Sequence, residues 1–250
     1  MGIFDDLGAE QERLETILAR LDEGQWETAS GAEGWTIADV VLHLAQSEEA
    51  AAATATRGTL RDGTLRGGLA AVAGDTMDER ADNAVRNERT APAEIFARWQ
   101  RARQAALVAL RAADPERPVE WVAGPLKPAT LATTRLAEHW AHGLDITGPL
   151  GVDLPDTGRL RHIAWLAHRT LPYALSVAGE PVVPVRCELT GVDGVEVWRF
   201  GPEDAESAIS GAAGEFCRVA ARRVDPARTG LEATGPHGAT ALRLVRTYAA

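Results

Sequence analysis

Hydrophobic positions in the first two thirds of the chain recur with the 3.6-residue period of a helix. Leu7, Leu14, Ile17, Leu18 and Leu21, separated by Glu10, Glu12, Arg13 and Glu15, predict an amphipathic helix over residues 4–22, ended by Gly24. A second start is marked by Thr36 as cap, Asp39 at the capping-box position and the apolar pair Trp35 and Val40 around them, so a helix is expected over 37–53. Residues 58–75 hold Gly58, Gly63, Gly67, Gly68 and Gly74 and read as a flexible connection or lid. Pro92 suits a first turn, and Ile95, Phe96, Trp99, Ala102, Ala106, Leu107 and Leu110 mark one face of a helix over 92–112. Pro128 opens a fourth helix through Leu131, Leu136, Trp140 and Leu144, closed by Gly148 and Pro149. A fifth begins near Thr157 and carries Leu160, Ile163, Ala164 and Ala167, with Pro172 kinking or shortening it.

After Gly179 the period changes to two. Val183, Val185, Cys187 and Leu189 alternate with polar neighbours, and Val195 and Val197 follow an Asp193-Gly194 turn, which predicts a β-hairpin. Helices near 211–223 and 239–248 flank a short segment at 230–234. The expected architecture is mainly α: a helical bundle over 1–178 followed by a small α+β domain over 179–250.

Composition narrows the partners. The 250 residues include 36 Asp+Glu against 26 Lys+Arg, a net charge of −10, with 45% hydrophobic residues: enough apolar side chains for a core, and no basic stripe of the kind nucleic-acid binding leaves. No stretch approaches 18 apolar residues and the N-terminus lacks a signal-peptide pattern, so a soluble cytoplasmic protein is expected, without membrane or nucleic-acid partners and compatible with a homodimer. Cys187 and Cys217 have no paired spacing, which excludes a disulfide framework; one lies inward on a strand and the other beside Phe216, so both are expected buried and inert. The phosphate-binding, dinucleotide-binding and serine-elbow motifs are all missing.

The chemically informative segment is Arg135-Leu136-Ala137-Glu138-His139-Trp140-Ala141-His142-Gly143-Leu144-Asp145. At about 100° per residue, Glu138 and His142 lie about 40° apart and Asp145 returns to within about 20° of Glu138, so three groups able to bind a metal form one stripe, with His139 off it. A third ligand from another helix would leave an open coordination position, and His43 is the obvious source, with Asp39 able to support its imidazole. Such a donor mixture suits Zn²⁺ first and Fe²⁺, Mn²⁺ or Ni²⁺ next. Spacing alone is also met by a solvated helix face and by a packed core histidine. Trp99 and Trp140 fit apolar stripes, and Trp121 could line a pocket mouth.

The run Trp35-Thr36-Ile37-Ala38-Asp39-Val40-Val41-Leu42-His43-Leu44 resembles the first signature of DinB-like metal-binding four-helix bundles of up-and-down topology, particularly the mycothiol-dependent maleylpyruvate isomerase family. Glu138-x-x-x-His142-x-x-Asp145 is similar to the second. The resemblance implies His43, Glu138 and His142 as metal ligands and a small thiol, mycothiol, as cosubstrate. It extends loosely to Ile209-Ser210-Gly211 and the apolar helix ending at Arg222 and Arg223. The GC-rich bias, with Lys127 the single lysine among the basic residues, agrees with an actinobacterial source, where mycothiol occurs. The expected function is a metal-dependent, thiol-linked isomerase or transferase acting on a small unsaturated or electrophilic metabolite. His139 and Asp145 are the candidate catalytic groups, His139 as proton shuttle or as a packed residue. The alternatives are a metal-dependent hydrolase, cyclase or isomerase that uses no thiol, and a non-enzymatic metal- or ligand-binding protein.

Overall fold

A computed structural model describes residues 2–57, 73–122 and 124–248. Most of the glycine-rich stretch expected to form a connection or lid lies outside the described residues. The chain divides into two compact units, one ending at Leu154 and one beginning at Pro155.

The first unit is built on α1 (Ile3–Leu18), α3 (Ile37–Arg57), α5 (Pro92–Ala112) and α6 (Pro128–Leu150), with the short α2 (Glu23–Trp26) and α4 (Met77–Asn87) between them. α3 packs along α5 and α1 along α6, and α3–α6 and α1–α5 contacts close a four-helix bundle. Its core contains Ile37, Val40, Val41, Leu42, Leu44, Ile95, Trp99, Leu131, Leu136 and Trp140. The helix starts follow the sequence signals. Thr36 Oγ1 accepts from the Asp39 amide at 3.2 Å while Asp39 Oδ2 accepts from the Thr36 amide at 3.0 Å, the reciprocal box expected before α3. Pro92 and Pro128 each occupy the first turn of their helices.

The helix ends follow them less closely. α1 stops at Leu18, and Gly24 falls inside α2. α6 runs through Pro149 and ends at Gly151, whose φ of 64° is the left-handed cap that a glycine takes without strain. The sequence pattern did not mark α4, because its residues are mostly polar. It is held to the bundle by buried Val85, by a bond from Trp35 Nε1 to Asp82 (3.1 Å) and by one from Gln46 Nε2 to the Ala84 carbonyl (3.0 Å).

The second unit contains α7 (Leu160–Val177), β1 (Val185–Thr190), β2 (Val197–Phe200), β3 (Ser207–Ala212), α8 (Ala213–Ala220), β4 (Glu232–Thr234) and α9 (Gly238–Leu244). The sheet order is β2-β1-β3-β4: β1 and β2 form the antiparallel hairpin expected from the alternation, β3 runs parallel to β1, and β4 pairs antiparallel to β3. The Asp193 carboxylate accepts from the Val195 and Glu196 amides, and Gly194 takes φ 72° in the turn. α7 is continuous through Pro172 and packs on α8, α9 and β2, so it belongs with the sheet rather than with the bundle. The division accordingly falls before α7, where the sequence reading had it after residue 178. Cys187 and Cys217 are free and buried; burial pushes the Cys187 thiol up to about 12 and raises that of Cys217 as well. Among the described residues no helix is long and apolar enough to cross a membrane.

Candidate metal centre

α3 and α6 bring His43, Glu138 and His142 together. One donor atom from each lies within 4.8 Å of the others, and among the described residues this is the grouping of three with ligand-like geometry. Glu138 Oε2 stands 3.8 Å from His43 Nε2 and 3.5 Å from His142 Nε2, and the two imidazole rings meet edge to face at 5.2 Å. The histidine side chains retain 12% exposure and Glu138 28%, so the donors open on one side. Trp35 forms a wall beside them, its ring 5.1 Å from His43 and 6.4 Å from His142.

The electrostatics suit a cation. Burial lowers the His43 pKa, and this outweighs the Glu138 carboxylate, so His43 is a neutral imidazole. Burial alone would raise Glu138, but the facing His142 and His43 rings and the charge of Arg135 hold it well below the usual carboxylate range. Burial would lower His142, but Asp145 and then Glu138 raise it. An ionised carboxylate and two imidazoles around a small opening are the donor chemistry of a borderline dication such as Zn²⁺. His43 Nδ1, on the far side of the ring from the Nε2 donor, is buried without a hydrogen-bond partner.

Asp145 does not join the three donors. It is 3% exposed, and its Oδ2 lies 2.9 Å from His142 Nδ1, where it accepts the ring proton and leaves Nε2 free to face Glu138. The Gly31 amide donates to the Asp145 carbonyl at 2.8 Å; a Cβ on Gly31 would sit 3.0 Å from Asp145 Cα, which explains the glycine in this close approach.

His139 faces away from the centre. It is 1% exposed; its Nε2 accepts from Trp99 Nε1 at 3.2 Å and its Nδ1 donates to the Arg135 carbonyl at 2.9 Å. With both nitrogens engaged, burial drives its pKa down to about 3. Asp39 does not support His43 either: Arg89 grips its carboxylate with two bonds, 2.7 and 2.9 Å, and Asp39 also caps α3.

Two charged groups that the sequence reading did not single out lie just below. Glu48 is fully buried on α3 and accepts from Arg135 Nε at 3.0 Å. Arg135 is 4% exposed, with the Trp121 ring 5.5 Å from its guanidinium carbon. A signal existed for Arg135, which precedes Glu138 by one helical turn. For Glu48, neighbouring Glu49 on a glutamate- and alanine-rich helix hid it.

Residues 7–147 match the family model described as the mycothiol maleylpyruvate isomerase N-terminal domain. An uncharacterized protein of Mycobacterium tuberculosis strain H37Rv is 33% identical over 246 residues, covering 98% of this chain and 94% of its own length; its counterpart in strain CDC 1551 matches equally. The crystal structure of a mycothiol-dependent maleylpyruvate isomerase superposes with a TM-score of 0.60 at 17% identity, and that of a histidine-to-alanine mutant with 0.62 at 16%, each over 94% of this chain and 95% of the other. At such identity the superposition speaks for the fold, which is the mainly helical one with a small C-terminal sheet. The family match spans both signature segments, and the chain therefore belongs to the mycothiol maleylpyruvate isomerase N-terminal domain family.

Proposed function

We propose that the chain is a cation-dependent isomerase of a small unsaturated acid, working by reversible addition of a small thiol of the mycothiol kind to a conjugated double bond. Addition converts the double bond to a single bond about which the carbon skeleton rotates, and expulsion of the same thiol restores it, so no oxidant or reductant is consumed. The observation that carries this reading is the open three-donor group of His43, Glu138 and His142 on two helices of a chain in this family.

His43 and His142 would present their Nε2 atoms and Glu138 its Oε2 to the cation. A bound dication supplies a positive charge that favours thiolate over thiol at neutral pH. Asp145 takes the His142 Nδ1 proton and fixes the ring, so that the donor nitrogen faces the opening. Trp35 walls one side of the donor group and keeps water from that flank. His139, with both nitrogens occupied inside the bundle, shuttles no proton in this reading; it ties α6 to α5 through Trp99. Both cysteines are buried with raised pKa values, so the reacting sulfur comes from outside the chain.

The test is a metal analysis of wild type, His43→Ala and Glu138→Ala, together with cis–trans isomerisation of maleylpyruvate assayed with and without mycothiol. Expected are one cation per wild-type chain, its loss from both variants, and turnover that requires the thiol. Full turnover in thiol-free buffer would replace the thiol chemistry by direct cation chemistry. Tight binding of the acid without any product would make the chain a binding protein.

A further inference from the structure

Beneath the three donors, the juxtaposition of α3 and α6 that unites His43 with Glu138 recurs one turn along. Glu48 follows His43 by five residues on α3, and Arg135 precedes Glu138 by three on α6. Arg135 Nε donates to Glu48 Oε1 at 3.0 Å, while its Nη2 makes no hydrogen bond and lies 3.9 Å from Glu138 Oε2. Glu48 Oε2 is likewise buried without a partner. The guanidinium thus stands between two carboxylates, bonded to one and 3.9 Å from the other, with the Trp121 ring beside it.

A buried guanidinium is retained at a heavy desolvation cost unless its charge is matched. Glu48 supplies the match from inside the bundle, which leaves the second arm of the fork for Glu138. An unmatched cation at this position would repel a dication held by the three donors. A matched one orients a ligand carboxylate and keeps it ionised while leaving its attraction for the dication nearly whole.

We propose that Glu48 and Arg135 are a positioning pair for the cation-binding carboxylate: Glu48 pins Arg135 and cancels its charge, and Arg135 Nη2 turns Glu138 Oε2 toward His43 and His142. The inference rests on the metal-centre reading above and adds two residues to it. Neither touches substrate; both act through Glu138.

The experiment uses the full chain at pH 8, with zinc affinity measured by chelator competition and the visible spectrum of the Co²⁺-substituted protein as a second readout. Glu48→Gln keeps the shape and an acceptor for Arg135 Nε but removes the compensating charge. Its zinc affinity is expected to fall by about tenfold or more, within the 10–100-fold range typical of groups that orient metal ligands, with shifted Co²⁺ bands. Arg135→Lys, which keeps the positive charge without the fork, is expected to be equally weak. The double variant Glu48→Gln/Arg135→Met removes the pair without stranding a buried charge and guards against a simple folding failure. It is expected to unfold cooperatively and still bind zinc at least about tenfold more weakly. Wild-type zinc affinity and unchanged Co²⁺ bands in the folded Glu48→Gln or double variant would reduce the pair to scaffolding and overturn the proposal. A wild-type chain that takes up no zinc would overturn the metal-centre reading itself, and the two failures are therefore separable.

Discussion

On one helix, neighbouring residues of similar chemistry meet opposite fates. His142 keeps an edge in the opening and gives its Nδ1 proton to Asp145, whereas His139 is enclosed between Trp99 and the Arg135 carbonyl. The helical period separated these two histidines from the sequence alone, because about 100° per residue turns His139 off the stripe of Glu138 and His142. The same period placed Asp145 on that stripe but could not say whether its carboxylate faces a cation or an imidazole. At 2.9 Å from His142 Nδ1 it faces the imidazole. Asp145→Asn keeps the shape and loses the charge that orients the ring and strengthens its donor nitrogen. Zinc affinity is expected to drop by about 10–100-fold while the fold persists, measured by chelator competition with far-UV circular dichroism as control. Asp39 shows the converse. Its position one turn before His43 suggested support for the imidazole, but Arg89, fifty residues away in sequence, claims the carboxylate, and no local spacing could reveal that.

Among elements, α3 carries the heaviest share, since it contributes His43 and Glu48 and packs along both α5 and α6. Its start is set locally by Thr36 and Asp39, two turns before His43. Thr36→Ala removes the acceptor for the Asp39 amide and is expected to cost about 1 kcal/mol of stability, read from the urea midpoint, while zinc stoichiometry stays at one per chain. The long helices were legible because each shows an apolar stripe with a cap or proline at its start. α4 was not, since tertiary partners hold it: Trp35 and Gln46 bond to it and Val85 is buried against the bundle. β3 was hidden for a related reason. Ser207–Ala212 is rich in small residues without clean alternation, and it becomes a strand by pairing with β1 on one side and β4 on the other.

At the scale of the whole molecule, charge burial couples stability to pH. Burial raises the Glu48 pKa from 4.5 to about 7, against the opposing pull of Arg135. A carboxyl group whose pKa is raised on folding binds its proton more tightly in the folded state. Its contribution therefore grows as pH falls from about 7 toward 4.5 and is flat below that. In the metal-free protein, wild type is expected to gain stability relative to Glu48→Gln between pH 8 and pH 5, by at most about 3 kcal/mol, measured by urea unfolding at the two values. A difference independent of pH would show that Glu48 does not titrate in this range. The sequence by itself determined the helical core and the hairpin, because these depend on periodicity, caps and turn residues a few positions apart, and its two signature segments marked the family and, through that resemblance, the three candidate ligands. Only the tertiary structure decided that the Asp145 carboxylate bonds to His142 Nδ1, that His139 is locked in the core, that α7 belongs with the sheet, and that Glu48 and Arg135 lie beside Glu138. Each of these turns on which partner, close by on the helix as for Asp145 and His142 or distant in sequence as for His139 and Trp99 or Arg135 and Glu48, fills the remaining hydrogen bond or covers the remaining apolar face, and packing sets that.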